Sequence, residues 1–394
     1  MSHYAVLVIG DDPEGQLAPF HKFESTGDDN QYVQNIDQTE EARAQYTEHT
    51  TTRYRDPEGI LHNPYTEEGN AKPQFWRDPT PEEIAEHGKM FGSGFGGGIR
   101  WLSTDWNDGL GYRAKVFQLP EGWNEVEVPT PEAETLAKFV EGWYGHKVVP
   151  FGEQPDLVGK HKYGYTLVDS GGTVVKVVDR TNPNKKWDWY SVGGRWTGYF
   201  KLKAVGVGVL GKPGIQAIAS DYKAPERDRA DLCRKCDIDI EGMRNEAEEK
   251  AARKYDLVWS IIGAHQRPLT WEEVKKLHQN GVDGKGRPNV DFDAARKYYN
   301  QQPAVVALRE NETATWYEVD DFLVAREEYL RRARAGALTT FAVIKDGQWY
   351  ERGSMGWWGV VSNEEDHDEW NIKFASLIDG LPDDTILTII DCHI

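Results

Sequence analysis

The sequence predicts an α+β protein in which antiparallel β-sheets carry packed helices and the N- and C-terminal strands share one sheet. Three observations predict it. Tyr4-Ala-Val-Leu-Val-Ile9 and Thr385-Ile-Leu-Thr-Ile-Ile390 are short and apolar on both faces, as central strands are. Residues 163–203 alternate around glycine-rich turns, as antiparallel hairpins do. Residues 238–335 place apolar side chains at helical spacing.

Taken in order, the first strand is followed by an acidic, polar stretch from Gln16 to Gly98. A helix is expected over Glu40–Glu48 after Thr39, and another from Thr80 with Pro81 at its first position. Gly92–Gly98 reads as a loop, because it lacks the Lys-Ser/Thr of a phosphate-binding loop and follows no clear strand. Thr130-Pro131 starts a helix through Trp143. Tyr163–Val168 and Thr173–Asp179 flank Ser-Gly-Gly as one hairpin, and Trp187–Lys203 forms a second, giving a four-stranded antiparallel sheet. Helices are expected over Ile238–Ile262, from Thr270 with a capping box to Glu273, and over Glu318–Ala335. The chain then returns to strands at Thr339–Lys345 and Gln348–Glu351 about an Asp346-Gly347 turn, and a helix near Glu369–Leu381 leads into the last strand. The expected division is 1–203, an α+β region with the tryptophan-rich hairpin sheet; 204–235, a basic flexible connection; 236–336, mainly helical; and 337–394, returning to the first sheet.

Composition narrows the function classes. The chain has 394 residues, 39% hydrophobic and 28% charged, with a formal net charge of −19. Mean hydropathy is −0.68 and no apolar run is long enough to span a bilayer, so no membrane partner is expected. The first ten residues lack the basic region and cleavage site of a secretory signal, and three cysteines make no disulfide framework, so the cytoplasm is the expected compartment. The acidic balance opposes direct nucleic-acid binding, which needs clustered cations. The balance is uneven, however: Lys and Arg outnumber Asp and Glu about two to one over residues 160–235, while residues 1–90 are strongly acidic. Either a basic surface sits in an acidic molecule, or the two kinds of region lie against each other.

The segment Trp187–Phe200 is the most distinctive in a chain with 15 tryptophans. Gly193-Gly194 between aromatic runs signals a two-residue hairpin turn, since such turns demand positive φ. Counting outward pairs Val192 with Arg195 and Trp187 with Phe200. One face then carries Trp187, Trp189, Trp196 and Phe200 as a hydrophobic slab. The other carries Asp188, Tyr190, Arg195 and Tyr199, the candidate ligand-binding residues: a guanidinium beside phenols and a carboxylate suits a nucleotide-like phosphorylated ligand. A solvated face, with Asp188 paired to Lys203 or Arg195 to a carboxylate, fits the same pattern.

The pattern WDWY-x-x-GGRW at Trp187–Trp196, MGWWG at Met355–Gly359, DCHI at Asp391–Ile394 and the N-terminal HYAVLVIGDDPEGQLAPF together resemble a family of uncharacterised bacteriophage and bacterial proteins. The resemblance spans most of the chain and implies no activity, so it transfers no catalytic residue. It implies a phage or prophage setting, where accessory proteins bind and redirect host factors. The expected partner is a host protein, of the nucleic-acid-binding or defence type, with inhibition of a defence factor as the outcome; an enzyme or a sequestering protein for a nucleotide-like ligand is the alternative.

The remaining signals are weaker. Cys233-Arg-Lys-Cys236 has zinc-ligand spacing without a second pair, so free thiols, no metal site and no cofactor are expected. Asp11-Asp12 fits a turn better than a Mg²⁺ site. Asp366-His-Asp-Glu369 places acids where a helix N-terminus wants them. No G-x-S-x-G, H-E-x-x-H or kinase signature is present.

Overall fold

The computed structural model describes residues 2–65, 72–77, 80–82, 116–213, 228–282, 284–315, 318–356 and 359–394. The Gly92–Gly98 loop and the continuation of the helix from Thr80 beyond Glu82 lie outside them. Two compact units divide the chain: Met1–Asp28 with Asn182–Ile394, and Asp29–Thr181. The expected connection at 204–235 is not where the units separate, for its Leu232–Arg234 is a strand of the first unit's main sheet. Among the described residues no helix is long and apolar enough to cross a membrane.

The first unit is built on an eight-stranded sheet. Its main strands are β1 (His3–Ile9), β2 (Trp189–Gly194), β3 (Leu232–Arg234), β4 (Ala342–Lys345), β5 (Gln348–Glu351) and β6 (Ile386–His393). As the apolar ends predict, β1 and β6 are neighbours, antiparallel from His3 opposite His393 to Ile9 opposite Leu387. The other edge of β6 is shared by two strands placed end to end: β3 pairs with Ile386–Thr388 and β2 with Ile390–His393. β4 runs parallel to β1, and β5 folds back on β4 through Asp346-Gly347, both at positive φ as such a turn requires.

Alternation along the central strands fills two cores. Ala5, Leu7, Ile9, Leu387 and Ile389 face one, closed by Phe200, Trp370 and Phe374; Tyr4, Val6, Val8, Ile390 and Cys392 face the other, with Leu17, Phe20 and Trp187. Each such aliphatic side chain removed from water contributes about 1.5–3 kcal/mol.

The helical block forms a satellite core. Helix α1 (Ile240–Ile262) places Met243 on the sheet core and Tyr255, Val258 and Ile262 on the satellite, against α2 (Trp271–Leu277), α3 (Phe292–Gln301) and α4 (Pro303–Glu310). The Thr270–Glu273 capping box forms as expected. Two expected helices are broken. Glu318–Ala335 divides into a 3₁₀ turn at Val319–Leu323 and α5 (Arg326–Ala335), with extended backbone at Val324. Thr130–Trp143 divides before Leu136, where the Thr135 hydroxyl caps a second helix by accepting from the Lys138 N–H. The last helix, α6 (His367–Asp379), starts on the Asp366 carboxylate, which accepts from the Asp368 and Glu369 N–H groups. Asp12 likewise caps the short helix Pro13–Leu17, so both acidic pairs are turn and cap residues.

In the second unit, Gly164–Val168 and Val174–Thr181 make the first expected hairpin, with the Asp169 carboxylate accepting from the Gly171 and Thr173 N–H groups in its turn. Their sheet is completed by Gln34–Asp37 and Val148–Val149. The second expected hairpin, Trp187–Lys203, does not form. Its first half is β2, which pairs with β6 instead, and Arg195–Gly198 is a turn that leads to Phe200–Lys201 beside Arg229–Ala230.

Candidate functional site at the end of the central sheet

Gly193 and Gly194 do have the positive φ that the sequence demands, at 75° and 52°. The cause is not a hairpin. Each glycine lies over a buried carboxylate: a Cβ on Gly193 would meet Asp231 and one on Gly194 would meet Asp391. Asp231 is fully buried and accepts four hydrogen bonds, from Thr197 Oγ1 (2.9 Å), the Gly198 N–H (2.6 Å), the Tyr199 N–H (3.2 Å) and the Gly211 N–H (2.8 Å). This carboxylate shapes the turn after β2.

The candidate residues therefore separate. Tyr190 lies on the core shared by Trp187 and Cys392, its ring 5.0 Å from the Trp187 indole, and burial raises its phenol above the ordinary value. Tyr199 lies on the opposite core, donates to the Thr339 carbonyl at 3.2 Å, and is pushed up further by burial. Arg195 is exposed, and its backbone N–H donates to Asp391 Oδ2 at 2.9 Å. Asp188 is the one candidate whose side chain reaches a chemical cluster, through His393. The expected indole slab also dissolves: Trp187 serves one core, Trp196 and Phe200 the other, and Trp189 is exposed. The physical reason is long-range. The partner of β2 is β6, so alternation is set by register with Ile390–His393 and not by the diglycine.

What the structure gathers instead is a constellation on one end of the sheet. His3, His393 and Trp189 are opposite one another across β1, β6 and β2, and share a face. His3 Nδ1 donates to Asp391 Oδ1 at 2.8 Å, with side chains only 4% and 1% exposed. His393 Nδ1 donates to Asp188 Oδ1 at 2.6 Å. The two imidazole centres are 4.9 Å apart with planes at 72°. The Trp189 indole stacks on His393 at 4.9 Å and meets His3 edge-on at 5.1 Å, yet stays 38% exposed. A carboxylate on Nδ1 fixes each tautomer and leaves the Nε2 lone pair pointing away from it. His3 Nε2 is buried and has no hydrogen-bond partner among the described residues.

The same place joins all the motif segments. Ser2 exchanges backbone hydrogen bonds with Ile394, donates its hydroxyl to the Gly356 carbonyl (3.2 Å) and accepts from the Gly359 N–H (2.5 Å). Segments from both chain ends, from 187–196 and from 355–359 thus meet around Ser2 and His3. His3, Asp391 and His393 were missed as functional residues although the signal was present. Once the two end strands are neighbours and antiparallel, their polar residues must fall at the same end.

Several cations of the stretch 160–235 are spent internally. Lys186 pairs with Glu351 (2.6 Å), Lys185 with Glu24, Lys201 with Glu246, and Arg229 with Glu246 (3.4 Å); in the second unit Arg180 pairs with Asp29. Lys235 donates to the Asp379 and Leu381 carbonyls. The carboxylates in these pairs come from outside the stretch. Cys233 is buried, its thiol pushed up to about 12 by burial first and neighbouring carboxylates second, whereas Cys236 is exposed. Among the described residues no group of three or more His, Cys, Asp or Glu side chains is arranged to hold a metal. Comparison with family models, with curated proteins and with solved structures finds no match to the chain.

Proposed function

We propose that the protein acts by binding, as a phage-type accessory protein that engages a host protein in the host cytoplasm and redirects it, inhibition of a defence factor being the outcome in view. The observation that carries the proposal is Trp189. A large indole is held in place by stacking on His393, itself anchored to Asp188, and is left open to solvent. Rigid exposed tryptophans are the residue type that dominates binding hot spots. With Lys186 and Lys201 engaged in internal pairs, the surplus of 65 acidic over 46 basic residues favours a partner with a basic surface, such as a nucleic-acid-binding protein.

The test is affinity capture from host lysate with the full chain and with Trp189→Ala. The expected result is a partner retained at low salt, weakened as salt rises, and lost in the variant. Identical recovery with both chains, or no specific partner at low salt, refutes the proposal. A second reading, a nucleotide-like ligand that is turned over or sequestered, is favoured by the unpaired His3 Nε2, a buried acceptor ready for a donor group. Recovery of such a ligand, intact or altered, from the denatured protein is its test.

A further inference from the structure

We infer that His3 and His393 form a two-imidazole seat for a divalent transition-metal ion, with Asp391 and Asp188 as the carboxylates behind it. Both rings are tied through Nδ1 to a carboxylate, at 2.8 and 2.6 Å. That is the support metal-ligating histidines receive: it orients the ring, fixes the tautomer and raises the basicity of Nε2. The spacing fits as well. A nitrogen ~2.1 Å from the metal puts the ring centre roughly 3.3 Å from it, so two rings at angles from 90° to tetrahedral stand about 4.7–5.4 Å apart. The observed separation is 4.9 Å, with the planes well apart in orientation. Finally, His3 Nε2 is buried without a partner among the described residues, and a buried acceptor left empty is unfavourable. An ion on that lone pair removes the deficit.

The order of affinity is then set by imidazole chemistry, Cu²⁺ above Ni²⁺ and Zn²⁺. The test is calorimetric titration of the chelator-stripped full chain with Zn²⁺ or Ni²⁺ alone. His3→Gln keeps a donor toward Asp391 and removes the ligating nitrogen, and His393→Gln does the same toward Asp188. Each is expected to lower affinity at least tenfold, and Asp188→Asn by 10–100-fold as an outer-sphere change. His265→Gln, at an exposed histidine, is expected to bind as the unsubstituted protein does. Should His3→Gln fail to fold, Cu²⁺ quenching of tryptophan emission replaces it, and the quenched component is expected to disappear in Trp189→Phe. Equal affinity and stoichiometry in both Gln variants, quenching unchanged in Trp189→Phe, or no uptake up to millimolar metal overturns the inference.

Discussion

Replacing Gly194 by alanine is the sharpest probe of the sheet end. The residue has φ +52°, and an added Cβ would stand 2.3 Å from Asp391 Cβ and 2.5 Å from Asp391 Oδ2. Left-handed backbone at a non-glycine residue costs about 1–2 kcal/mol. Forcing a methyl into a filled site adds about 1–3 kcal/mol, because Asp391 is buried and held by His3 and by the Arg195 N–H. The total is about 2–5 kcal/mol. Gly347→Ala in the same unit is the control: φ is +72° but nothing lies within 4 Å, so only the conformational cost of about 1–2 kcal/mol applies. Native-state hydrogen exchange of the Trp189 and Ser191 amides, which face β6 opposite His393 and Asp391, is the assay, since it reads opening of this sheet end apart from global unfolding. Gly194→Ala is expected to speed that exchange by roughly 30–5,000-fold, a larger effect on these amides than Gly347→Ala produces. Equal effects of the two substitutions would show that Gly194 is required for its φ alone and would remove Asp391 as the reason for the diglycine.

Asp231→Asn turns an amide donor toward a carboxylate site built of donors, so the turn Arg195–Gly198 is expected to lose about 2–4 kcal/mol and melt earlier by calorimetry, while Asp228→Asn, nearby in sequence, stays close to unchanged. In thiol labelling of the native protein, Cys236 alone is expected to react quickly, because Cys233 and Cys392 are buried with their thiols pushed up; three fast thiols would contradict the packing. Glu318 is held down to about 2, by the Thr315 hydroxyl and N–H first and by Lys254 after them. A depressed carboxylate contributes stability above its unfolded pKa and loses it as pH falls toward 2, so Glu318→Gln is expected to flatten the acid limb of protection at the Thr315 amide and leave neutral-pH packing of α1 intact; an unchanged acid limb contradicts it.

The central pair of strands was legible because burial on both faces leaves a short, mainly apolar run without alternation, and Tyr4–Ile9 and Thr385–Ile390 each carry one. Helix starts were legible where a side chain caps its own helix, as Thr270 and Asp366 do. The ribbon faces were not. A diglycine reports only that positive φ is needed, and here the need comes from Asp231 and Asp391, contributed by residues far along the chain. Local counting from the turn therefore gave the faces of a hairpin that the register with Ile390–His393 overrides. The break at Thr135 was hidden for a milder reason: a threonine that caps a following helix looks, in sequence, like one more residue of the preceding one.

The seating of β6 between β1 and the two strands placed end to end has a consequence for how the protein comes into being. His3 and Asp391 are 388 positions apart, and β1 cannot find its antiparallel mate until the residues through His393 have been synthesised. Contacts of such long range slow folding, and in the interval a six-residue apolar segment, Tyr4–Ile9, stays exposed to whatever the ribosome exit and the cell present to it. Refolding from denaturant is accordingly expected to be slow and concentration-sensitive, with yield improved by dilution or by a holdase that shields the nascent first strand.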